Sequence, residues 1–130
     1  MSRVEMLNAY AEKAKVRKFR PGSHDCALFV AGWVKLVTGN DPAKGWRGQY
    51  RSLRKGQEML EAAGIADPVD LAVSLLPEVP PAFAQIGDIA LVDGLAFGVV
   101  NGERIWVLQR TGIATVPLNR ATRVFRVGSK

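Results

Sequence analysis

The chain has 130 residues, 48% hydrophobic and 23% charged, with a formal net charge of +6 and a sequence pI near 9.9. This length sets one domain, residues 1–130, with enough surface to bury for a core of its own. No apolar run approaches the ~20 residues of a membrane-spanning helix, one cysteine cannot form an internal disulfide, and one histidine with one cysteine leaves a tetrahedral metal site short of ligands, so no metal and no cofactor are expected.

Val4, Leu7, Tyr10, Ala11 and Ala14 have helical spacing, and this first helix should end before "RPGS". Ser23 or Asp25 can cap a second helix, which carries Leu28, Phe29, Ala31, Val34, Leu36 and Val37 and stops at Gly39. The stretch "DPAKGWRGQY" is a loop, and "SLRKGQEMLEAA" is a third helix ending at Gly64. A fourth, short helix starts with Asp67 as cap and Pro68 in its first turn. "PEVPPAFAQ" can be neither helix nor central strand and reads as a connector.

Beyond residue 85 the pattern changes to strands: "IGDIALV", "AFGVV", "RIWVLQ", "IATVPL" and "TRVFRV". Asp93-Gly94, Asn101-Gly102 and Thr111-Gly112 separate the first four, and Asn-Gly between apolar runs is a strong hairpin signal. A helical half followed by an antiparallel meander of four or five strands is an α+β fold.

The chemistry-bearing stretch is "HDCALFVAGWV", from His24. Cys26 falls at the start of the second helix, where free N–H groups favour a thiolate. His24 is a candidate base if it stands in the segment before the cap, and Asp25 is either a cap or a catalytic group. A lone cysteine is more often a small buried hydrophobe. Trp33 reads as core. Trp46 either borders a cleft or anchors its loop, and Asp88 satisfies local backbone N–H groups. Arg47, Arg51 and Arg54 either pair with carboxylates of a ligand or form a solvated basic face. The basic residues are spread along the chain, densest in "KAKVRKFR" and "RGQYRSLRK", and neither stretch has the glycine and aromatic spacing of an RNA-binding motif.

Asp25-Cys26 before an apolar helix, then Gly87-Asp88 leading a strand, then the strand Ala96 to Val100, resembles the NlpC-type cysteine peptidases, papain-like cell-wall hydrolases, over roughly residues 20 to 105. With "PLNRATRVFRV" the pattern is similar to small members encoded beside tail genes of phages and gene-transfer particles. The resemblance implies a papain-like fold with Cys26 heading the central helix. It also implies a virion setting in the distal tail, production in the host cytoplasm, tail-tip or hub proteins as partners, and peptidoglycan as a candidate substrate. The family's histidine stands two residues before the glycine of the second strand, where this chain has Ala96. Glu103 and Gln109 are the polar candidates for the family's third, orienting position.

Two functions follow as expectations. One is a cysteine peptidase or amidase cutting cell-wall peptide during DNA entry, with Cys26 as nucleophile, His24 as base and Asp25 beside them. The other is a catalytically silent structural module of the tail tip. A third reading is a basic nucleic-acid-binding domain, although specific nucleic-acid binding is not expected. "MSRVEMLNAY" lacks the apolar core of a secretory signal, so no such export segment is expected.

Overall fold

The computed structural model describes residues 2–128, an α+β arrangement of four helices followed by a six-stranded antiparallel sheet. The helices begin where the sequence offers caps. Ser2 and Glu5 form a reciprocal capping box at the start of α1, Arg3–Lys15. Of the two candidate caps for α2, Cys26–Thr38, Asp25 takes the position, and Gly39 ends the helix in the left-handed conformation. Ser52 caps α3, Leu53–Ala62, and Asp67 caps α4, Pro68–Leu75. Among the described residues, no helix is long and apolar enough to cross a membrane.

The strands are β1 (Glu78–Val79), β2 (Ile89–Val92), β3 (Ala96–Asn101), β4 (Arg104–Gln109), β5 (Gly112–Pro117) and β6 (Ala121–Phe125). Their order in the sheet is β1-β6-β2-β3-β4-β5. The expected meander is correct for β2 to β5 and needs two corrections. First, β6 crosses back to pair with β2. Second, the "PEVPP" stretch supplies β1, a two-residue strand at the sheet edge, where its flanking prolines remove no interior hydrogen bond. At the β2–β3 turn Asp93 and Gly94 both have positive φ, and the Leu95 N–H donates to Val92 O. That is the geometry an Asp-Gly hairpin turn requires.

The sheet buries both faces. One face, with Ile89, Leu91, Phe97, Val99 and Phe125, meets Leu7 of α1 and Phe29, Trp33 and Val34 of α2. The other holds Ala90, Val92, Val100, Ile105, Val107 and Val124, and it is covered by outer-strand and connector residues such as Val79 and Leu118 rather than by any of the four α-helices. Trp33 is 0% exposed and its indole N–H donates to Gly87 O at 2.8 Å, pinning α2 to the start of β2. Leu36, expected in the core, is half exposed on the outer side of α2.

Candidate functional site around Cys26

Cys26 is the first residue of α2 and is half-buried. What fixes its place is Asp25, which is 0% exposed. One carboxylate oxygen of Asp25 accepts from the Leu28 N–H at 2.9 Å, the usual helix-capping bond. The other accepts from the Gly22 N–H at 3.0 Å and from the Tyr50 hydroxyl at 2.6 Å. Asp25 therefore joins the turn before α2, the helix itself and the loop after it. Burial and this bond push the Tyr50 hydroxyl pKa well up, so it stays protonated as the donor.

His24 is 4% exposed. Its Nε2 lies 3.1 Å from Ala14 O; a carbonyl only accepts, so Nε2 carries the proton and ties the ring to the last turn of α1. Burial, with the Arg17 charge, lowers its pKa. The folded state thus prefers neutral His24. Its contribution to stability is present above the unfolded value, near 6.5, and is lost as pH falls through the lower folded value. We expect unfolding free energy to fall on acidification below about pH 6.5, and His24→Gln, which keeps an N–H donor but cannot titrate, to flatten that part of the curve. Urea melts across pH 5 to 8 check this; equal slopes in both proteins would contradict it.

Cys26 opens onto a cleft of about 290 Å³. Its floor includes Val30 and Val34 of α2 with Ile89 and Phe97 of the sheet, and Trp46 and Tyr50 close one side. Leu53 and Leu60 of α3 and Leu71 and Leu75 of α4 are also among its lining residues. His24 is not among the residues lining this cleft. Burial and the Asp25 charge push the Cys26 thiol pKa up, outweighing the backbone N–H groups at the helix start. The Cys26 and Ala27 N–H groups at the helix start still favour the thiolate, but burial and the capping Asp25 carboxylate beside them count for more.

The strand register corrects the expectation for Ala96. Ala96 pairs with Val92, and Phe97 pairs with Leu91. Paired residues share a face, so Ala96 lies on the face of Val92, away from α2, while Phe97 stands on the α2 face and lines the Cys26 cleft. A histidine at 96 would point away from the thiol in this register. Glu103 sits in the β3–β4 turn and Gln109 at the exposed end of β4, and neither lines the cleft.

Other candidates resolve into local roles. Trp46 does both things considered for it: it packs against the Leu28, Ala31 and Ala43 cluster and lines the cleft. Asp88 accepts from the Gln85 and Val127 N–H groups and pairs with Arg126 at 3.0 Å. Arg47 pairs with Asp41 and Arg54 with Glu58, while Arg51 makes no ion pair among the described residues. No group of three or more His, Cys, Asp and Glu among those residues is placed to hold a metal ion.

The charge is more polarised than its spread along the sequence indicates. Residues 13–55 carry eleven Lys and Arg against two Asp, a net +9 in a chain whose total is +6. The fold joins the two densest basic stretches, because the Gly48 N–H donates to Gly22 O at 2.7 Å. The loop that closes the Cys26 cleft is therefore held beside the turn that follows residues 13–20, the densest basic run of the chain. Sequence reasoning found Cys26 and Asp25 but missed Tyr50, whose contact with Asp25 crosses 25 residues and leaves no local pattern. No curated protein matches the chain. Over residues 2–127 it matches a family described only as a domain of unknown function, and with that span covered the chain belongs to the DUF6950 family.

Proposed function

We propose that this domain is a papain-like, NlpC-type module of a phage or gene-transfer-particle tail tip that keeps the place of the nucleophile and carries out no hydrolysis. The observation that carries the loss of chemistry is the surroundings of Cys26: a thiol with a raised pKa in a cleft lined mainly by apolar residues, with the only imidazole of the chain bonded to Ala14 O. A thiol needs a base or a lowered pKa to attack a carbonyl; here the pKa is raised, no imidazole lines the cleft, and its one carboxylate, Asp25, is taken up by the Leu28, Gly22 and Tyr50 donors. The order of elements, a cysteine-headed helix followed by an antiparallel sheet, supports the NlpC-type scaffold. The position of Ala96 on the far face counts against a site that lacks only its histidine. The tail-tip setting, with hub proteins as partners and assembly from the host cytoplasm, rests on the sequence resemblance.

A second reading, a cell-wall peptide hydrolase using Cys26, is favoured by one observation: Cys26 stands at a helix start and lines a cleft. Release of soluble fragments from purified peptidoglycan separates the two. We expect wild type and Cys26→Ala to release equal, background amounts. Release that disappears in Cys26→Ala would overturn the silent reading. Detection of the chain in purified particles, by mass spectrometry, tests the setting; its absence from particles would remove it.

A further inference from the structure

We propose that the cleft beside Cys26 binds a single-chain anionic amphiphile of the fatty-acid class, with its hydrocarbon chain between α2, α3 and α4 and its charged head at the basic rim formed by residues 44–54. This inference stands apart from the NlpC-type reading and needs only the cleft.

The cleft is elongated. It follows α2 from Cys26 to Val34, about 12 Å at 1.5 Å per residue. Its walls are largely apolar, and apart from the Trp46 indole N–H the polar side chains along them are bonded within the protein. Asp25 and Tyr50 bond to each other, and the Gln57 amide donates to Ala66 O. Among the described residues no buried side-chain nitrogen or oxygen lacks a partner. A peptide strand laid in this cleft would bring several N–H and C=O groups against a lining whose one side-chain donor without a bond in the protein is the Trp46 indole N–H, and burying the others unpaired is unfavourable. A hydrocarbon chain brings none. The neutral Cys26 thiol acts there as one more small apolar group.

The cleft is also incompletely closed by the protein itself. α3 buries none of its residues, and Leu53 and Leu75 remain about half exposed although both line the cleft. An occupant would remove this surface from water. Lys44 and Arg51 are exposed chain neighbours of the lining residues Ala43 and Tyr50, and neither cation makes an ion pair among the described residues. The nearest acids in sequence are committed: Asp41 to Arg47, and Glu58 to Arg54 and Lys55. The one acid that lines the cleft, Asp25, is bonded to the Leu28, Gly22 and Tyr50 donors, so the exposed cations of residues 44–54 supply the charge that complements an anionic head on a single chain.

Calorimetric titration with hexanoate, octanoate and decanoate, each below its micelle concentration, and with 1-octanol, tests the proposal. The expected result is one saturable site whose affinity rises about fourfold per added methylene. The double variant Lys44→Glu, Arg51→Glu changes only exposed residues. It should weaken octanoate several-fold and leave 1-octanol unchanged. Leu75→Glu, also at an exposed position, should abolish binding of both. No saturable binding, affinity independent of chain length, or equal effects of the rim variant on octanoate and 1-octanol would each overturn the proposal. So would an end-capped apolar tetrapeptide binding more tightly than decanoate.

Discussion

Asp25→Ala should lower the free energy of unfolding by about 4 kcal/mol. Loss of a helix N-cap costs about 1 kcal/mol, and each buried donor left without its acceptor costs a further ~1–3 kcal/mol. Here the Gly22 N–H and the Tyr50 hydroxyl both lose the same oxygen. Against the ~5–15 kcal/mol that holds an ordinary domain together, this is a large fraction. Denaturant unfolding measures it. Tyr50→Phe removes only one of the three donors and should cost about 1 kcal/mol. A loss below about 1 kcal/mol in Asp25→Ala would mean that Asp25 is not what fixes the Cys26 region, and would reopen a catalytic role for it.

Gly22→Ala is expected to cost about 3 kcal/mol, through a different mechanism at the same junction. Gly22 has φ +87°, and a β-carbon there would stand 1.9 Å from Tyr50 O, a backbone atom that cannot move without its loop. Left-handed strain accounts for about 1 kcal/mol, and the forced shift of the Tyr50 loop for about 2 more. Gly45→Ala is the control. It has φ +92° and nothing within 4 Å of the added carbon, so it should cost only the strain. Equal losses in the two variants would show that the close approach of Gly22 to Tyr50 is not present in solution.

These two residues also show where the sequence was legible. Asp67-Pro68 and Asp25 with Gly39 place helix ends correctly because a cap acts through bonds to residues three or four along the chain. Asp93-Gly94 marks its turn for the same reason. The position of β6 between β1 and β2 was not legible, since its partners lie 29 to 47 residues away and no turn signal encodes them. β1 was hidden by the prolines around it. Cys26 and Asp25 stood out as residue types, but their chemistry was not readable. It depends on Tyr50 holding Asp25, on Ala14 holding His24, and on Phe97 rather than Ala96 facing the cleft. The strand alternation alone separates those last two residues, and a resemblance in spacing does not fix which one faces the helix. The cleft itself is assembled from three helices and two strands, so no single stretch announces it.

The central claim is that Cys26 is a neutral thiol with no imidazole partner. Because the chain has one cysteine, the ultraviolet absorbance of thiolate titrates it alone once the tyrosine background is subtracted with Cys26→Ala. The account predicts a midpoint above the ordinary thiol value of about 8.5, unchanged in His24→Gln and unchanged in Ala96→His, whose imidazole would lie on the far face of the sheet. A midpoint below that value which rises when His24 is replaced would contradict it, and would make His24 and Cys26 a catalytic pair.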